Sequence, residues 1–191
     1  MRKIYLVAIL CSLFPSIFGL GVRPVWAKNK AEIVDVFLEH ENTNFEVSFR
    51  IHNCFTPKME EAIRSGVRTN FRILMVIEGK GLPFLKPKLL DVAFEHSLKY
   101  DRLENEYVVQ LDEYPGRILT TTDFDEAKQW MSTVSNLPII PLWRLESGKE
   151  YQFRVKAELS KVHLPLFLRY IFYFVSLWDF ETGWRKVPFS Y

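Results

Sequence analysis

Cysteine is almost absent: the 191 residues hold two, Cys11 and Cys54. If Cys11 leaves with a leader, Cys54 stands alone and no intramolecular disulfide can form. Dithiol redox chemistry and zinc-ribbon sites lack their cysteines for the same reason. Glycine is scarce as well, at eight residues, and no glycine-rich phosphate loop and no G-x-S-x-G nucleophile elbow occurs. The four histidines, His40, His52, His96 and His163, are far apart, and none forms an i,i+4 or HExxH pair. Spacing therefore builds no metal site, and no cofactor is expected. A surplus of positive charge is missing too. The formal charge of +2 rests on residues 1–27, which carry Arg2, Lys3, Arg23 and no acid. Without them 22 basic residues face 23 acidic ones, a net of −1. A nucleic-acid partner needs Lys and Arg in excess to displace phosphate counterions, so none is expected.

What residues 1–27 do hold is the three-part pattern of an export signal. Arg2 and Lys3 form the positive start, Ile4 to Leu20 an apolar stretch, and Val25-Trp26-Ala27 a site ending in a small residue. Pro15 suits a signal better than a stable span. Three outcomes stay open: cleavage after Ala27, an uncleaved anchor through residues 4–20 (close to the ~20 residues that cross a bilayer), and a lipoprotein signal, for which Leu10 is the wrong residue before Cys11. The expected organisation is a signal peptide or anchor over 1–27 and one domain over 28–191, exported to the periplasm or cell envelope. That domain is long enough to bury about 70% of its unfolded surface without a covalent staple.

Period two dominates the rest. Phe45, Val47, Phe49 and Ile51 alternate with Glu46, Ser48, Arg50 and His52. Tyr151, Phe153, Val155, Ala157 and Leu159 alternate with Gln152, Arg154, Lys156 and Glu158. Both patterns describe antiparallel strands with one wet face. Phe71 to Ile77 is apolar on both faces after Arg72, as a central strand covered on each side would be. Ile33 to Leu38, Val92 to Tyr100, Tyr107 to Leu111 and Trp178 to Val187 complete the strands, and Arg102-Leu103-Glu104-Asn105 has the composition of a hairpin turn.

Two short helices interrupt the pattern. Pro57 opens PKMEEAIRSG, where its missing N–H costs nothing in the first turn, and Gly66 stops it. The second starts at Thr122 or Asp123, with Glu126 at capping-box spacing from Asp123. Phe124, Ala127, Met131 and Val134 share one face of it, and Pro138 and Pro141 end the stretch. The fold expected is mainly β: an antiparallel β-sandwich of about seven to eight strands with two short helical insertions.

The stretches AIRSGVRTNFRILMVIE, LKYDRLENEYVV, DFDEAKQWM and LPLFLRY followed by WDFETGW occur in the order seen in the domain of unknown function 4390 family, which this chain resembles from about residue 31 to its end. Ala62, Ile63, Gly66, Val67 and Phe71 match one family pattern, and Leu98, Tyr100, Leu103 and Tyr107 a second. Trp178 and Trp184 match a third, with Thr182 at its small hydroxyl position. Ile63 and Thr182 are mild departures. The resemblance implies an exported bacterial protein and carries no catalytic residues to transfer.

Among groups that could do chemistry, His52 and Cys54 lie two apart. They are expected on the water-facing side of a strand, opposite Phe49 and Ile51, where an imidazole could activate a thiol. The plainer expectation is a small residue at a strand end. Asp101, Asp112 and Glu113 sit in turn-like surroundings where acids are ordinary. Leu164 to Trp178, LPLFLRYIFYFVSLW, is apolar except for Pro165, Arg169 and Ser176. It is too short and interrupted to span a membrane. It is either a core element or a segment resting on a membrane or protein partner, with Phe167, Arg169, Ile171, Phe174, Trp178 and Trp184 as the contact residues. Trp184 could equally anchor the last strand in the core. The expected function is non-catalytic binding in the envelope, and the alternative is a periplasmic enzyme whose site is assembled from residues distant in sequence.

Overall fold

The computed structural model describes residues 30–41, 43–81, 86–160 and 180–191. The leader and the 164–178 segment lie outside the described residues, and with them Phe167, Arg169, Ile171, Phe174 and Trp178. The described chain runs β1 (Glu32–Glu41), β2 (Asn44–His52), α1 (Pro57–Arg64), β3 (Thr69–Gly79), β4 (Lys88–Asp101) and β5 (Glu106–Leu111). It continues through β6 (Ile118–Thr121), α2 (Phe124–Ser132), β7 (Thr133–Pro141), a 3-10 turn (Leu142–Arg144), β8 (Glu150–Leu159) and β9 (Arg185–Ser190).

The strands form two antiparallel sheets, ordered β1-β2-β7 and β6-β5-β4-β3-β8-β9. Alternation decides what fills the space between them. Phe45, Val47, Phe49 and Ile51 of β2 and Phe71, Ile73, Met75 and Ile77 of β3 are all buried in one cluster with Phe153, Val155 and Ala157 of β8. Each large apolar side chain removed from water there contributes about 1.5–3 kcal/mol. β3 takes the central place its doubly apolar sequence implies: it pairs with β4 and β8, and Val76 on its other face is buried too.

The helices follow their end signals. Thr56 accepts from the Met59 N–H at 3.3 Å, Pro57 occupies the first turn, and Met59, Ala62 and Ile63 face the core. Gly66, at φ +85°, supplies the left-handed residue that closes α1, with its N–H on the Ile63 carbonyl and that of Val67 on Ala62. Asp123 caps α2, accepting from Asp125 at 2.8 Å and Glu126 at 3.4 Å. The capping box is only half made. The Glu126 carboxylate takes the Thr121 hydroxyl at 2.6 Å, and that same hydroxyl accepts the Asp123 N–H at 3.0 Å.

The structure has nine strands among the described residues, where the alternation gives seven to eight, and the additions are β6 and β7. α2 ends at Ser132, so Val134 belongs to β7, and Pro138 and Pro141 are strand residues instead of helix stops. β7 is an edge strand, bonded to β2 alone, and an edge tolerates residues without an N–H. The last strand is Arg185–Ser190, beginning inside the Trp178 to Val187 stretch expected for it. The hairpin at 102–105 is present, with Asn105 at φ +59°.

Candidate functional site

The outer face of the six-stranded sheet carries the one sequence-selected contact residue that is described, Trp184. Its position follows from the short stretch before β9. Phe180 is buried and meets the Phe71 ring edge-on at 4.6 Å between centroids. The Leu159 N–H donates to the Phe180 carbonyl at 3.0 Å. Buried Thr182 donates its N–H to the Ala157 carbonyl and accepts the Ala157 N–H on its hydroxyl, both at 2.9 Å. These bonds stitch 180–182 to β8 and leave Trp184 at the surface, 39% exposed, so it is no core anchor.

Arg154 of β8 lies over the Trp184 ring at 5.1 Å from its centroid and donates to Glu78 of β3 at 2.7 Å. Its Nε is buried with no hydrogen-bond partner among the described residues. Beside it Lys156 bonds Glu181 at 2.6 Å and Glu158 at 3.1 Å. The bond to Glu181 holds its ammonium above the usual lysine range, against the opposing effect of partial burial. A cleft of about 530 Å³ opens alongside, lined by Arg72, Glu95, Glu158, Leu159, Ser160, Phe180 and Glu181. Arg154 and Trp184 thus form a cation–π pair at the surface, with one edge of the ring left to solvent.

The other sequence-selected groups are not brought together. His52 is exposed, 3.6 Å from the Glu32 carboxylate. Cys54 is 2% exposed and donates to the Ile51 carbonyl at 3.3 Å. The expectation that both face water fails because β2 ends at His52. Asn53 takes a left-handed turn at φ +53°, and Cys54 is rotated inward. Burial pushes its thiol up to about 12, with weaker opposing pulls from its hydrogen bond and from Lys128. Among the described residues no three His, Cys, Asp or Glu side chains converge to hold a metal ion. No described helix is long and apolar enough to cross a membrane.

One pairing escaped the sequence. Glu113, expected to be an ordinary turn acid, has a side chain only 4% exposed that lies 2.7 Å from Nε2 of His96, which is fully buried. Nδ1 of His96 faces the Met131 carbonyl at 2.9 Å. The signal for His96 was present: it falls in step with Phe94 and Leu98 on the inner face of β4. Nothing in the sequence pointed from it to Glu113.

A family model described as Domain of unknown function (DUF4390) matches residues 28–188. No curated protein and no solved structure matches the chain significantly.

Proposed function

This chain belongs to the domain of unknown function 4390 family, and on that premise we propose that it is an exported domain of the bacterial cell envelope that binds a membrane or protein partner. In this reading residues 1–27 are its signal peptide or anchor and residues 28–191 its single β-sandwich domain. The observation that carries the proposal is Trp184, a large ring left at the surface with Arg154, itself paired to Glu78, on its face. The apolar stretch 164–178 ends six residues before Trp184 in the sequence, and on its composition we assign Phe167, Arg169, Ile171, Phe174 and Trp178 to the same contact.

The test is fractionation of the native host with successive high-salt and alkaline washes, reading the intact mass in each fraction. The wild-type chain is expected on membranes through the salt wash and in the alkaline eluate. A variant with Trp184, Phe167, Ile171 and Phe174 replaced by Ser should fold with an unchanged circular dichroism spectrum and move to the soluble fraction. A wild-type chain found soluble from the start, or a folded variant that fractionates like wild type, refutes the proposal. Failure of that variant to fold would place 164–178 in the core and remove it from the contact. Trp184→Ser alone then decides for the remaining surface.

A further inference from the structure

We propose that His96, Glu113 and the Met131 carbonyl form a latch that holds the last turn of α2 and the whole of β7 in place, and whose release lets that segment open ahead of the six-stranded sheet. α2 has no basic side chain in its last turn, and the chain passes from Ser132 directly into β7. A helix leaves its final carbonyls without partners, and here His96 reaches across from β4 to satisfy one of them. A carbonyl only accepts, so Nδ1 carries a hydrogen. Nε2 lies 2.7 Å from the Glu113 carboxylate, so the ring is held at both ends. Glu113 is itself short of one bond, because its Oε2 is buried with no partner among the described residues.

Met131, Val134, Leu137 and Ile140 bury the apolar side of the segment in the core, and beside them its polar ties are few. β7 bonds to β2 alone, and its register with β2 slips between Phe45 and Glu46 and again between Val47 and Phe49. Pro138 and Pro141 bring no N–H to that ladder, and Asn136 sits at φ +49°. The Tyr114 hydroxyl donates to the Ser135 carbonyl at 3.1 Å, and Ser48 exchanges two hydrogen bonds with Asn136. The first turn of α2 is held differently. Phe124 stacks on Tyr107 at 4.7 Å and carries Arg64 and Lys128 over its ring, and Lys128 bonds Glu60 of α1. Release therefore begins after Lys128 and ends by uncovering the β2 edge.

Hydrogen exchange on the full-length chain, resolved by peptide, tests this. In wild type, amides of 131–141 should exchange faster than those of β3 and β8. Glu113→Leu, which strips the ring of its support, should speed exchange in 131–141 by about ten- to a hundredfold, the weight of one hydrogen bond to a charged group. It should leave β3 and β8 at wild-type rates. Glu113→Gln, whose amide can donate to Nε2, should return exchange to within about threefold of wild type. Equal acceleration in both sheets, no acceleration in 131–141, or no rescue by Glu113→Gln each overturns the proposal. If Glu113→Leu does not fold, the wild-type comparison decides: exchange of 131–141 in step with β3 and β8 overturns it.

Discussion

Alkylation of Cys54 tests the tertiary account of the β2 end directly. A thiol at its ordinary value of 9.0 is about one-tenth thiolate at pH 8, and the thiolate is the species that reacts. With burial pushing Cys54 to about 12, the thiolate share falls to about one in ten thousand, a loss of about a thousandfold in rate before access is considered. Its 2% exposure adds a steric barrier of the same sign. The assay is iodoacetamide labelling of the native chain at pH 8. The Cys54 peptide is quantified by mass spectrometry, so that Cys11 is read separately, with the guanidinium-unfolded chain as reference. Native labelling should run at least about a hundredfold slower than in the unfolded chain, allowing about one pH unit in the shift. A native rate within tenfold of the reference would mean that Cys54 faces water, and the inward rotation at Asn53 would be wrong.

The same burial gives a pH dependence. The folded thiol stays neutral while the unfolded one ionises, so its contribution is intact below about pH 9 and is lost as pH rises from there towards 12. Urea midpoints measured from pH 8 to 10.5 should therefore fall more steeply for wild type than for Cys54→Ala, and parallel profiles would contradict the assignment. At the start of α2, Asp123→Ala removes the acceptor of two backbone N–H groups and should cost about 1 kcal/mol in urea unfolding. A loss under about 0.3 kcal/mol would show that Thr121 and Glu126 hold that turn without it.

Legibility tracked how local each cause was. α1 could be read because its start and stop are set by neighbours in the chain: a threonine before a proline, and a glycine eight residues after that proline's successor. β2, β3 and β8 could be read because period-two burial is written in consecutive residues. β7 could not, since its two prolines are permitted only by its place at a sheet edge, which local sequence does not state. For the candidate site, Trp184 was visible as a residue, but Arg154 beside it appeared only as one polar member of an alternating strand. Its pairing with Glu78 comes from the β3–β8 register, across 76 positions of chain.

Alone, the sequence determined the fold class, the central strand, both helix starts and the family, because alternation, caps and motif order depend on residues close together in the chain. Tertiary structure decided which way Cys54 faces, where β7 runs, that Glu113 meets His96, and that Trp184 stays at the surface under Arg154. Each of these is settled by what the second sheet or a distant strand places opposite, and a left-handed turn of one residue, at Asn53, is enough to reverse a side chain's exposure.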